Sequence, residues 1–253
     1  MAMNADGPGA PLNPYSPPAV AIDAGVYQPV ASTRTFSSTR PLAKAITLIL
    51  GVDILAELVS DVNAFVTINV MGRVASGAPY DESELAAIDT RSMGLAVLSG
   101  VVAILAAIWF CMFMVRANRN ARSFGSPMSI RPGWAAGFFF VPVVSLWKPY
   151  QAMKEIWQGS DPDPNAHSFT VKVPAMMGWW WAMYLLHNGG ARVSGQTSKD
   201  LKGPKDFINA SWTEIVTSGL SIAAALLAIA VVRAVARRQD ERQTRQHGAA
   251  AVL

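Results

Sequence analysis

The stretch GWAAGFFFVPVVSLW, residues 133–147, decides how this chain is threaded. It is apolar and aromatic, yet its 15 residues fall short of the roughly 20 that a helix needs to cross a hydrocarbon core. Pro142 interrupts it as well. Four other stretches are long enough to cross, at about 42–70, 92–115, 173–191 and 207–232. Pro41 opens the first of them, a favoured residue at a helix start. If 133–147 also crosses, the two chain ends lie on opposite sides of the membrane.

Charge placement separates the two cases. The loop between the first and second spans is net acidic, with Arg73 and Arg91 against Asp81, Glu82, Glu84 and Asp89. Between the second and third spans come Arg116, Arg119, Arg122, Arg131, Lys148, Lys154 and Lys172. Arg233, Arg237, Arg238, Arg242 and Arg245 follow the fourth. With Arg34, Arg40 and Lys44, a four-span threading puts fifteen of the 21 basic residues on the cytoplasmic side. A fifth crossing would carry the arginine-rich end outside, against the excess of Lys and Arg in cytoplasmic loops. The sequence therefore predicts an all-α integral membrane protein with four transmembrane helices and both termini cytoplasmic, in the cell (inner) membrane.

The non-crossing piece is then a cytoplasmic-side element over 133–158. Its first part dips into the inner leaflet and returns, and must be shielded by protein where its backbone breaks. After Pro149, Leu146, Tyr150, Met153 and Trp157 recur at helical spacing, opposite Lys148, Gln151, Lys154, Glu155 and Gln158. That pattern predicts an amphipathic helix lying in the membrane interface.

Composition agrees with a membrane protein. Hydrophobic residues make up 51% of the 253 and charged ones 15%, against about 25% charged in soluble domains. Cys111 is the sole cysteine, which excludes an internal disulfide, and it reads as a small buried hydrophobe. Residues 1–39 are rich in Pro, Gly and Ser and predict a disordered cytoplasmic tail. Residues 40–238 form the membrane domain, and 239–253 a basic cytoplasmic tail. No cleavable leader is visible, so the first span directs insertion.

Trp109, Asn118, Arg131-Pro132-Gly133-Trp134-Ala135, Pro142, the run Leu146-Trp147-Lys148-Pro149-Tyr150-Gln151-Ala152-Met153, Glu155-Ile156-Trp157, Trp180-Trp181 and Gln239 occur in a recognisable order. That order resembles the bacterial membrane-protein family catalogued as domain of unknown function 4328, over roughly residues 40–240. The resemblance implies a bacterial multi-span protein and brings no activity with it. Its interfacial motif comprises Trp134, Pro142, Trp147, Lys148, Pro149, Tyr150 and Trp157.

Chemistry is concentrated in the first span. Asp53, Glu57 and Asp61 recur every fourth residue and so line one helix face. Each acid near a bilayer centre costs roughly 2.5–3.5 kcal/mol on insertion scales. Such a row suits a proton or cation path, or a wet groove in which the acids pair with neighbouring helices. Topology places Asp61, His187 and Glu214 at similar depth, one imidazole and two carboxylates that suit a divalent metal. No His-x-x-x-His or Glu-x-x-His spacing supports that set.

The Trp179-Trp180-Trp181 run reads with Trp134, Trp147, Tyr150 and Trp157 as an inner-leaflet aromatic belt. Ser99, Ala103 and Ala107, and Gly219 with Ala223, suit close helix packing. The arginines at 233–238 should attract anionic headgroups of the bilayer. No phosphate loop, nucleophile elbow or nucleic-acid module is present, and no cofactor is predicted. The leading expectation is a non-enzymatic membrane module for binding, sensing or assembly, with a protein partner at the interfacial helix. A proton- or cation-coupled conduit using the acidic face is the alternative, and a membrane-embedded metalloenzyme the second alternative.

Overall fold

A computed structural model describes residues 35–163, 171–197 and 201–250. Among the described residues the chain is all-helical, with α1 (Arg40–Ala75), α2 (Glu82–Ser123), α3 (Pro132–Gly137), α4 (Lys148–Gly159), α5 (Ala175–Thr197) and α6 (Pro204–Ala250). The expected tail at 1–34 lies outside these residues. Residues 35–39 do not continue it, because they are tied down: Thr39 is fully buried and Ser37 exchanges hydrogen bonds with Asn120.

Local chemistry sets the ends. Asp81 caps α2, its side chain accepting from the Ser83 amide at 2.9 Å, while Glu82 and Glu84 oppose the positive end of the helix dipole. Asp206 accepts from the Lys202 and Gly203 amides at the head of α6. Gly77, at φ +72°, closes the turn after α1 where a side chain would be strained.

Helix α6 is the spine. It packs along both α1 and α5, and α1 packs along α2 on its other side. Near the α1–α2 turn, Asn63 donates to Ser92 at 2.9 Å and accepts from Arg91 at 3.0 Å, pinning the two helices. The α2 and α5 backbones stay apart at the open edge of this row. They are bridged by the rings of Phe110 and Trp180, with centroids 5.7 Å apart.

Helices α2 and α6 each contain a stretch long and apolar enough to cross a membrane. Almost none of the α2 stretch is buried inside the protein, unlike the core helix of a soluble domain. Leu48, Leu55 and Val62 on α1, Val97 and Ile104 on α2, Leu186 on α5 and Val216 on α6 all face outward. So large an apolar surface needs a cover of lipid or protein.

The piece at 133–147 turns back on itself. Short α3 lays Ala135 and Ala136 against α2, and two 3₁₀ turns follow, Phe138–Phe140 and Val144–Leu146. Between them the chain reverses at Val143, whose φ is +65°, and the Val144 amide donates to the Pro142 carbonyl at 2.7 Å. A β-branched residue rarely takes this conformation, so the reversal stores strain. Phe140, Val143, Leu146 and Trp147 stand exposed around it. The returning strand is held by Trp181, whose indole N–H donates to the Leu146 carbonyl at 2.9 Å.

The interfacial expectation for α4 needs correction. Ala152, Met153 and Ile156 are fully buried in the core, so the apolar face of α4 meets protein rather than lipid. The close approach is built in at Gly159, where an added Cβ would sit 3.0 Å from Met128 Sδ and 3.2 Å from Ala121 Cβ. The aromatic belt also divides: Trp179 faces outward, whereas Trp180 and Trp181 are buried against Phe110, Phe139 and Tyr184. The boundary expected at 238 falls inside α6, which runs unbroken through it.

Candidate functional site

The gap between α2 and α5 is a groove of about 610 Å³, backed by α1 and α6. Ser99, Gly100, Ala103 and Ala107 form its α2 wall. Ser99, Ala103 and Ala107 were expected to pack closely on a neighbouring helix. Instead they leave space, because Phe110 and Trp180 hold the α2 and α5 backbones apart. Phe139 and Phe140 close the groove at the end nearest the reversal.

Asp53 and Glu57 line this groove, with His187, Asn188 and Tyr184 from α5 and Ser221 from α6. Asp53 lies eleven residues past Leu42, about 16 Å along α1 at 1.5 Å per residue. Among the described residues neither Asp53 nor Glu57 takes part in a hydrogen bond or ion pair. His187 Nδ1 sits 3.4 Å from the Thr217 carbonyl, an oxygen to which it can only donate.

The acidic row is therefore split. Asp61 leaves the groove and meets α6, where the Ser218 hydroxyl donates to its Oδ2 at 3.1 Å while Oδ1 is buried without a partner. Glu214, one turn earlier on α6, lies within electrostatic range of Asp61 and Glu57, whereas His187 lies within range of Asp53. Asp61, His187 and Glu214 are thus not gathered, and no group of three or more metal-ligating side chains occurs among the described residues. The reason is the length of α5. It continues to Thr197, so His187 is not near its end but level with Asp53.

The motif residues do a different job. Trp134 packs on Phe138 with ring centroids 5.2 Å apart, and Pro142 sets up the strained reversal. Trp147 is exposed at the head of α4, with Pro149 buried in the first turn and Tyr150 half-buried. Lys148 donates to Gln151 at 3.0 Å and lies 6.0 Å from the Phe138 ring. Trp157 donates to the Lys172 carbonyl at 3.1 Å and carries the Arg238 guanidinium over its ring at 4.4 Å.

A second polar cluster locks the helix ends that the charge pattern assigns to the cytoplasm. At its centre the Gln239 side chain is fully buried. Its amide N–H groups donate to the Ala117 carbonyl at 2.8 Å and to Ser160 Oγ at 3.0 Å. Its carbonyl accepts from Asn120 at 2.9 Å and Thr39 at 3.3 Å. One side chain thereby ties α6 to α1, α2 and the end of α4.

Around it, Arg238 pairs with Asp161, and Arg242 donates to the carbonyls of Asp161 at 2.7 Å and Phe124 at 3.3 Å. Burial pulls both guanidinium groups below the usual arginine value, and Asp161 opposes that pull. Arg238 is thus turned into the protein, away from the headgroups expected to attract it. Sequence reading singled out Gln239 but missed Thr39, Asn120, Ser160 and Asp161. The available signal was Arg116 to Arg122, where amides alternate with arginines just past an apolar span.

The family model described as domain of unknown function (DUF4328) matches residues 77–237. No curated protein and no solved structure matches the chain. The match is shorter than the resemblance expected from the motifs. It leaves out α1 with Asp53, Glu57 and Asp61, and also Gln239.

Proposed function

The chain belongs to the family described as domain of unknown function (DUF4328), and from that premise we propose a non-enzymatic binding module threaded four times through the bacterial inner membrane. Helices α1, α2, α5 and α6 are the spans, and both termini are cytoplasmic. The α2–α5 groove takes a small amphiphile with an apolar body and a cationic head. The observation that carries this reading is the pair Asp53 and Glu57, unpartnered among the described residues in an otherwise largely apolar groove. Unmet carboxylates inside a membrane favour a cationic ligand group that faces them.

The test uses a lipophilic tertiary-amine dye and the protein in lipid nanodiscs. Saturable binding should weaken at least about tenfold in Asp53→Asn/Glu57→Gln, the worth of one lost charge-assisted contact, and Ala103→Phe should block it sterically. Binding that survives both changes would sink the reading. Thiol labelling in a Cys111→Ser background tests the threading. Ser83→Cys should label from outside the cell and Thr244→Cys only after permeabilisation, and the reverse pattern would overturn it.

The same acids support a proton- or cation-coupled conduit as the second reading. Weighing against it, no carboxylate or imidazole lines the groove between Asp53 and its aromatic floor. Unchanged ion flux in liposomes for Asp53→Asn, Glu57→Gln and Asp61→Asn would remove it.

A further inference from the structure

A separate cavity of about 500 Å³ lies where the N-terminal end of α1 meets the last turns of α2. Arg116, Arg119, Asn120, Thr35 and Ser37 line its polar side, and Leu42, Met112 and Val115 its apolar side. Its walls change character along α2 itself, since Val115 is the last residue of the apolar stretch and Arg116 the first charge beyond it. Met112 is exposed at 48%, so the apolar side is continuous with the surface that faces lipid.

Several other arginines at this end of the bundle are already committed, and Arg131, Arg233 and Arg245, though also without a partner among the described residues, do not line the cavity. Arg40 pairs with Asp240, Arg122 donates to the Met128 and Ile130 carbonyls, and Arg238 and Arg242 serve the Gln239 cluster. Arg116 and Arg119 have no hydrogen-bond or ion-pair partner among the described residues. They are one turn apart on one helix face. Two free guanidinium groups, two hydroxyl side chains and an apolar wall at the level of the membrane surface form a receptor for an anion that is attached to a hydrocarbon body.

We propose that this cavity seats the phosphate of an anionic phospholipid from the cytoplasmic leaflet. The phosphate oxygens accept from Arg116 and Arg119, and the glycerol and upper acyl chains lie on Leu42, Met112 and Val115. The site rests on α2 spanning the membrane and is independent of what fills the groove. It also replaces a diffuse attraction at 233–238 with a discrete contact.

Cys111 is the only thiol and lines both this cavity and the groove, so its alkylation is read beside the lipid count and repeated in Ala103→Phe, where the groove is blocked. The purified full-length protein is exchanged into mixed micelles containing either phosphatidylglycerol or phosphatidylcholine. Native mass spectrometry counts retained lipid, and the rate of Cys111 alkylation is followed in parallel. Wild type should retain one phosphatidylglycerol and react several times more slowly than in phosphatidylcholine.

Arg116→Gln/Arg119→Gln should weaken retention about thirtyfold, since each arginine near the surface is worth about 1 kcal/mol. Arg116→Lys/Arg119→Lys should keep most of it, and Arg233→Gln/Arg237→Gln should leave it unchanged. Equal loss in the Arg233/Arg237 variant would overturn the site in favour of a general basic field. Equal retention of phosphatidylcholine would overturn it too. Protection of Cys111 by inorganic phosphate alone, as strong as by phosphatidylglycerol, would overturn the lipid assignment.

Discussion

The groove and the Gln239 cluster contain similar numbers of polar side chains and treat them in opposite ways. In the cluster each polar atom of Gln239 finds a partner, and four chain segments are tied together as a result. In the groove Asp53 and Glu57 face open space with no protein partner among the described residues. Buried polar groups that serve stability are satisfied within the fold. Asp53 and Glu57 are half-buried and unmet, which suits a ligand from outside, whereas the fully buried orphan atoms are Asp61 Oδ1 and, beside the cluster, Arg242 Nε. The difference teaches which half of the molecule is scaffold and which is site.

The sharpest test of that division is Gln239→Met. It takes a partner from the Ala117 carbonyl, Ser160, Thr39 and Asn120, although Asn120 keeps its bonds to Ser37, and each orphaned buried group costs about 1–3 kcal/mol. A loss of about 3 kcal/mol or more is expected, read as a fall in Tm larger than for any other single change named here. Next comes Arg238→Met, which breaks a largely buried pair with Asp161 and its stack on Trp157. About 1–3 kcal/mol should be lost, less than for a fully buried pair because some water reaches it.

On the groove side the sign reverses. Asp53→Asn/Glu57→Gln removes two unmet acids from the groove and should raise Tm slightly or leave it unchanged, since on the proposed threading acids there are costly. A fall in Tm as large as for Gln239→Met would make the acids structural and erase the contrast.

The smallest effect is expected at Asp81, which belongs to neither cluster. Hydrogen bonds from Ser83 hold its carboxyl below the ordinary value of 3.8. A depressed carboxyl stabilises the folded state above its unfolded pKa and loses that contribution as pH falls through the folded one. The first turn of α2 should fray only below about pH 4, seen by amide hydrogen exchange. Asp81→Asn should remove that dependence.

The sequence made much of the scaffold legible and little of the site. Apolar length located the long helices, because nearly every exposed position in the apolar stretch of α2 carries an apolar side chain or glycine. The reversal at 142–144 was readable from length and Pro142. The faces of α4 were not, because amphipathic periodicity does not distinguish a lipid surface from a protein one. Ile156 is fully buried although the apolar spacing did not include it.

The acidic row was visible as a periodicity, but its division between groove and α6 depends on helix rotation and on where α5 ends. Ser99, Ala103 and Ala107 show the same limit. Small residues permit close packing, and only the aromatic bridge elsewhere decides whether it happens. The Gln239 cluster joins residues as far apart as Thr39 and Gln239, which no local pattern links.

Helix α6 runs without a break from Ser218, which holds the acid split off from the groove, to Gln239 in the cluster. It can be thought of as a shaft with two keyed fittings, about 32 Å apart at 1.5 Å per residue. The fittings engage only at one phase angle. One residue inserted between them would turn one fitting by about 100° relative to the other, and seven would nearly restore the angle while sliding them apart by about 10 Å. Substitutions along that segment are a matter of fit, but insertions and deletions are a matter of phase. The segment from 219 to 238 is therefore held to a fixed length by both of its ends at once.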